Sequence, residues 1–411
     1  MSRYFDALET RSQDEREAAL ARDLPAVIAR ALTAPGLAAH LGPVDPATIT
    51  SRAALARLPV VRKSELLELQ QRERPFGGFA AAGWGREVLR VFASPGPIYE
   101  PEGNRPDHYR VARALFAAGF AEGDLVQNTF SYHMTPAGSM METGAHALGC
   151  TVFPAGVGQT ELQVQAIADL KPNAYTGTPS FLRILIHKCR EAGVALSLRK
   201  AFVSGEAFPP ALQREVAEAG IDAYQGYATA DLGLVAYETE AREGLGVDED
   251  IVLEIVRPGT GDPVAAGEVG EVVVSTFNPD YPLIRFGTGD LSAVLVGVSP
   301  CGRTNLRIKG WMGRADQTTK VKGMFVHPGQ VAQVMQRHPA IRRARLVVDN
   351  PELNDRMTLL CEVTGGASEA LAAAIGASIR ELTKLRGDVA FMPQGTLAND
   401  GKMIDDVRSY A

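Results

Sequence analysis

The sequence predicts an α/β protein in two parts. A large N-terminal domain of β-α units, with mixed sheets and a β-rich portion, precedes a small mobile C-terminal α+β domain. Three observations predict this. Short apolar runs alternate with helical stretches from about residue 86, residues 251–296 read as strands and tight turns, and a self-contained α+β pattern begins near 313–319. The length of 411 residues accommodates two to three domains. With 45% hydrophobic and 22% charged residues, the chain can bury a large core, which excludes wholesale disorder.

Each element follows from its local pattern. Residues 11–35 set Ala, Leu, Val and Ile at three- and four-residue spacing among Arg, Glu and Asp, as amphipathic helices over a core do. The runs at 86–94, 123–130, 149–156, 173–178, 200–205 and 222–228 read as strands, and 106–119, 159–170 and 179–192 as helices between them. That alternation predicts a mostly parallel sheet. IVLEIV, GEVGEVVVST and PLIRFGTGDLSAVLV, with a GTGDP turn between the first two, predict antiparallel pairing. The last segment reads as helix 328–337, strands 343–349 and 357–364, and helix 368–385. The boundary is expected near Asp316, giving domains 1–315 and 316–411 joined by a short polar hinge.

Charge and cysteine usage narrow the function classes. Lys+Arg at 42 against Asp+Glu at 48 gives a net charge of −6, which argues against a broad nucleic-acid footprint. Cys150, Cys189, Cys301 and Cys361 form no C-x-x-C pair, so neither structural zinc nor a disulfide framework is expected. The charged N-terminus lacks the pattern of a secretory signal, and apolar stretches such as 144–157 are interrupted short of a membrane span. A cytoplasmic protein with no nucleic-acid or membrane partner is the expectation.

In open α/β sheets, ligands bind beyond the carboxyl ends of the strands. The loops there are SPGP (94–97), NTFSYHMTPAG (128–138), TGTPS (176–180), SGEAFP (204–209), YQGYATADLG (224–233) and GTGD (287–290). No Walker-type phosphate loop, dinucleotide fingerprint, nucleophile elbow or H-E-x-x-H helix is present. The order of the loops is the stronger signal. LPVVRKSEL (58–66), GCTVFPAGVGQTELQ (149–163), YTGTPSFL (175–182), SGEAF (204–208), PLIRFGTGD (282–290), CGRT (301–304), GRADQTTKVKGMFVHP (313–328) and GK (401–402) are individually weak but collinear over nearly the whole chain. In these motifs the sequence resembles the phenylacetate–coenzyme A ligases of the adenylate-forming superfamily.

That resemblance implies the adenylate-forming enzyme fold. It also implies an AMP-forming ligase that uses ATP, Mg2+ and coenzyme A to activate an aromatic or arylacetic acid. The acid becomes an acyl adenylate, and coenzyme A then displaces AMP. A homodimer is the family expectation.

The resemblance also assigns roles. Lys402 matches the catalytic lysine that reaches the carboxylate and α-phosphate, where cationic charge stabilises the transition state; on composition alone it is one of many surface lysines. Asp290 matches an aspartate that binds the ribose hydroxyls, or else caps a turn. Arg314 matches an arginine on the nucleotide, and an ordinary salt bridge is its alternative. Asp316 matches the hinge residue. Ser204, Gly205 and Glu206 match the loop along adenine, with Gly205 also bordering the acid pocket; a simple turn is equally open. Tyr132 matches an aromatic in the acid pocket, and Phe130, His133 and Met134 could complete an apolar wall, although His133 could also be a core histidine. Lys322, Gly323 and Pro328 match the stretch that faces coenzyme A.

Two stretches depart from the family. Its phosphate loop is rich in Ser, Thr and Gly and ends in Gly-Lys-Pro. Here the stretch is ASPGPIYEPEGN (93–104), which keeps Ser94 and Gly96, lacks the lysine and adds Glu100. The extra charge is expected to weaken the hold on the β- and γ-phosphates. In place of Tyr-Gly-x-Ser/Thr-Glu stands GYATADLG, read with Thr229 at the hydroxyl position, Ala230 at the glutamate position, and Asp231 one residue on as the remaining magnesium ligand. Two further readings stay open: a catalytically silent acyl- or nucleotide-binding relative, and an adenylating enzyme with an acceptor other than coenzyme A.

Overall fold

The strand KAFV buries Ala201, Phe202 and Val203 completely, as a central parallel strand covered on both faces must. A computed structural model of the chain describes residues 3–94, 97–312, 315, 319–326, 328–351, 354–398 and 402–409. The chain divides into two compact units, Met1–Met312 and Gly313–Ala411.

In the larger unit, α1 (Gln13–Ala31) starts with a capping box between Ser12 and Glu15, and α2 (Pro35–Leu41) follows. A two-residue strand, Val61–Arg62, leads into α3 (Lys63–Arg72). The hairpin of β1 (Val88–Ser94) and β2 (Ile98–Gly103) precedes α4 (Ala112–Ala117). The β-α units then run β3 (Leu125–Asn128), α5 (Ala137–Ala147), β4 (Thr151–Pro154), α6 (Thr160–Leu170), β5 (Ala174–Gly177), α7 (Pro179–Glu191), β6 (Lys200–Val203), α8 (Pro210–Glu218) and β7 (Asp222–Thr229). After them come β8 (Gly233–Glu238), β9 (Leu245–Val247), β10 (Ile251–Val256), β11 (Val269–Thr276), β12 (Phe286–Ala293) and β13 (Arg307–Ile308).

An eight-stranded sheet has the order β13-β9-β8-β7-β6-β5-β3-β4. From β4 to β7 every pair is parallel, and the β7-β8 and later pairs are antiparallel. A second sheet orders Val61–Arg62, β12, β11 and β10, with the expected antiparallel pairing among the last three. The helix α7 shows how pattern becomes packing. Thr178 caps it, Pro179 opens it, and Leu182, Leu185, Ile186 and Cys189 bury one face. The helix expected over 106–119 is shorter, because Asp107 and Arg110 take positive φ angles of 47° and 62° and only residues 112–117 are helical.

Before β12, Arg285 is buried to 1% exposure, and its guanidinium bonds Glu254 and the carbonyls of Ala56, Leu58 and Gly261. It pins the strand that carries Asp290 to the N-terminal helices. Replacing Arg285 by leucine would strand a buried Glu254 carboxylate, with an expected loss of about 3 to 5 kcal/mol in a denaturant titration.

The smaller unit contains the hairpin β14 (Thr319–Val321) and β15 (Met324–Val326), then α9 (Pro328–Arg337), β16 (Ile341–Asp349), β17 (Arg356–Val363), α10 (Glu369–Thr383), β18 (Asp388–Met392) and β19 (Ile404–Asp406). Its sheet order is β18-β17-β16-β19, over a core of Val331, Leu346, Leu359, Ile375 and Ile379.

Candidate active site

The carboxyl ends of β3, β5, β6 and β7 bring together four of the polar loops. Packing there is close: a Cβ on Gly177 would meet Thr129 Oγ1 at 2.0 Å, and one on Gly226 would meet Phe202 at 2.2 Å. Ser204 Oγ donates to the Gly226 carbonyl at 2.7 Å, and Glu206 Oε1 accepts from Ser180 N at 2.7 Å. Ser204 and Glu206 therefore brace this strand edge, and Gly205 between them turns at φ 83°.

Asp290 on β12 is 8% exposed. Its Oδ2 accepts from Tyr227 Oη at 2.7 Å and its Oδ1 from Trp311 Nε1 at 3.0 Å. A carboxylate offers about four acceptor positions, enough to bond protein donors and a diol at once. Tyr227 and Trp311 were not among the expected site residues, and nothing in their spacing from Asp290 marks them.

Tyr132 donates to Glu142 Oε2 at 2.7 Å and accepts from Asn128 Nδ2 at 2.8 Å. Burial first, then the Glu142 carboxylate, raise its phenol above the ordinary value. The apolar wall expected around it is not assembled as proposed. His133 is exposed and Met134 is 71% exposed, while Phe130 joins the core. The reason is a turn: Met134 has φ 65°, and its carbonyl accepts from Ala93 N of β1 at 2.7 Å.

The two departing stretches meet in one buried cluster. Lys63 Nζ lies 2.6 Å from Asp231 Oδ2 and 3.4 Å from Ser94 Oγ, and Ser94 Oγ donates to Glu100 Oε1 at 2.5 Å. Glu100 is 2% exposed and Asp231 7%. Burial, then the neighbouring Asp231 carboxylate, push the Glu100 carboxyl well above its usual range. Glu100, expected as an added charge at the phosphates, has its carboxyl buried against Ser94, with the Lys63 ammonium nearby. Among the described residues, Glu100 Oε2 and Asp231 Oδ1 are buried without a hydrogen-bond donor from outside the pair.

The register expected for the GYATADLG stretch is also corrected. Thr229 Oγ1 accepts from Leu232 N at 3.1 Å, a local turn contact. Counting the motif from Tyr227, which reaches Asp290, puts Ala228 at the glycine position and Ala230 at the hydroxyl position. Asp231 then falls at the glutamate position itself. The departures there are alanine for glycine, a lost hydroxyl and a shorter acid.

In the smaller unit, Lys322 and Gly323 form the β14-β15 turn with φ 47° and 82°, the pairing that a tight hairpin demands. Lys322 is exposed, and its N donates to Asp355 Oδ2 at 2.8 Å. Lys402 is exposed on the approach to β19. Gly96, Arg314 and Asp316 lie outside the described residues.

Among the described residues no single helix is long and apolar enough to cross a membrane. The profile of the AMP-binding enzyme family matches residues 109–278. The chain is 33% identical over 338 residues to a phenylacetate–coenzyme A ligase of Thermus thermophilus, covering 78% of this chain and 75% of the relative. A second enzyme of that name, from Aromatoleum evansii, is 31% identical, with 79% and 76% covered. The crystal structure of a 2-hydroxyisobutyryl-CoA ligase in complex with 2-HIB-AMP and CoA superposes with a TM-score of 0.84 at 25% identity, covering 100% of this chain and 93% of the other.

Proposed function

The chain belongs to the phenylacetate–coenzyme A ligase family, and we propose that it is an AMP-forming acid–coenzyme A ligase acting on an aromatic or arylacetic acid. The observation that carries this reading is the buried Asp290 carboxylate, held in place by Tyr227 and Trp311 beside the β7 loop. ATP and coenzyme A are its co-substrates.

In the first half-reaction a carboxylate oxygen attacks the α-phosphorus and pyrophosphate leaves. The nucleotide is oriented by Asp290 and Arg314 and by the Ser204-Gly205-Glu206 loop along adenine, with Ser94 and Gly96 at the phosphates. Lys402 supplies positive charge where charge builds between the acid and the α-phosphate. The donor at the metal position is Asp231, a hard oxygen ligand that suits Mg2+. When bound, Mg2+ neutralises phosphate charge. Thr229 holds the turn that presents Asp231. In the second half-reaction the coenzyme A sulfur attacks the acyl carbon and AMP leaves. Lys322 and Gly323 face coenzyme A after the small unit turns about Asp316.

Tyr132 positions the acid, held by Glu142 and Asn128, with His133 at the exposed rim of the same loop. Tyr132→Phe breaks the bonds to Glu142 and Asn128 that hold the ring, and is expected to raise KM for the acid about fivefold with kcat little changed in steady-state kinetics. We place the enzyme in the cytoplasm as a homodimer without nucleic-acid or membrane partners. Acid-dependent ATP–pyrophosphate exchange with Mg2+, screened over aromatic acids, tests the ligase reading. Exchange followed by CoA-dependent thioester release is the expected result, and no exchange with any acid would overturn it.

A further inference from the structure

The phosphate-loop hairpin carries an acid that the family's loop lacks, and it meets the motif acid of β7 rather than solvent. Ser94 and Glu100 sit on β1 and β2, paired in one hairpin, and Asp231 follows β7. Two of the four carboxylate oxygens are occupied: Asp231 Oδ2 by Lys63 Nζ at 2.6 Å, and Glu100 Oε1 by Ser94 Oγ at 2.5 Å. The other two, Glu100 Oε2 and Asp231 Oδ1, are fully buried and, among the described residues, receive no donor from outside the pair, an arrangement of two facing carboxyls that costs stability unless something electropositive satisfies it. The Lys63 ammonium is the one cation bonded to the pair among the described residues, and it is the exchangeable member. Its side chain is 27% exposed on a flexible stem, against 1% for Asp231.

We infer that Glu100 and Asp231 together hold the divalent cation that accompanies the nucleotide, and that Lys63 occupies this place when the metal is away. Two carboxylates, with the remaining positions left to water and phosphate oxygens, match how Mg2+ is usually bound beside nucleotides. Glu100 thereby offsets what the substitution of aspartate for the motif glutamate shortens. Lys63, once displaced, stays beside Ser94 at the phosphate strand. The inference rests on the ligase reading for the presence of a nucleotide.

The test is a Mn2+ titration of the full-length protein saturated with α,β-methylene-ATP, with bound metal read by electron paramagnetic resonance. AMP binding in EDTA, measured by calorimetry, runs in parallel. Glu100→Gln and Asp231→Asn are each expected to weaken Mn2+ binding about tenfold or more. Glu100→Asp should restore part of the loss, and all variants should bind AMP within about twofold of wild type. Wild-type Mn2+ affinity in Glu100→Gln, with AMP binding intact, would overturn the inference and leave Glu100 as a tether for Ser94 while the ligase reading stands. Loss of AMP binding in Glu100→Gln alone would also overturn it, because the residue would then be shaping the nucleotide site itself. A wild type that binds no AMP would overturn the ligase reading and this inference with it.

Discussion

Replacing Lys402 with alanine is expected to lower acid-dependent ATP–pyrophosphate exchange by about 10²-fold or more. An ammonium aimed at developing charge stabilises the transition state more than the ground state, so the loss should fall on kcat rather than on KM for ATP. The backbone of the next two residues anchors Lys402 to the small unit's sheet. The Met403 carbonyl accepts from Leu346 N at 2.9 Å, and Ile404 pairs in register with Leu346 on β16. Because the lysine itself is exposed, the substitution should leave the melting temperature nearly unchanged. A stability-matched variant that keeps full exchange would remove Lys402 from the chemistry.

The second large effect is expected at Asp290. Asp290→Ala removes the two charge-assisted hydrogen bonds proposed to the ribose, each worth about 1.5 to 3 kcal/mol, so kcat/KM for ATP should fall about 10²-fold or more. It also leaves the Tyr227 hydroxyl and the Trp311 indole without their acceptor. Asp290→Asn keeps the shape and one acceptor oxygen, and should retain more activity than alanine. Equal loss in both variants with unchanged KM for ATP would argue that Asp290 only braces β12.

The fold is readable where burial is written in local pattern. The uninterrupted apolar core of β6 and the spaced apolar face of α7 each point to one environment. The start of α4 is not readable, because Asp107 caps Val111 N and Ala112 N from four and five residues back while its own backbone is left-handed. In the site, Asp290 and the Ser204 loop are marked by their place at strand ends. The partners that define them are not. Lys63 lies 168 positions from Asp231, and Tyr227 lies 63 from Asp290, separations that only the tertiary fold closes. The motif register slips by one position in the sequence because Thr229, which serves its own turn, looks like the motif hydroxyl.

The Asp290–Trp311 hydrogen bond has an optical consequence. The chain contains two tryptophans, Trp84 and Trp311, and one of them donates directly to the carboxylate proposed to hold the ribose. Indole emission responds to the loss or sharing of such a bond, so Trp84→Phe would leave a single tryptophan seated beside the proposed nucleotide position. Nucleotide occupancy and release could then be followed in real time in the unlabelled protein, without coupling enzymes.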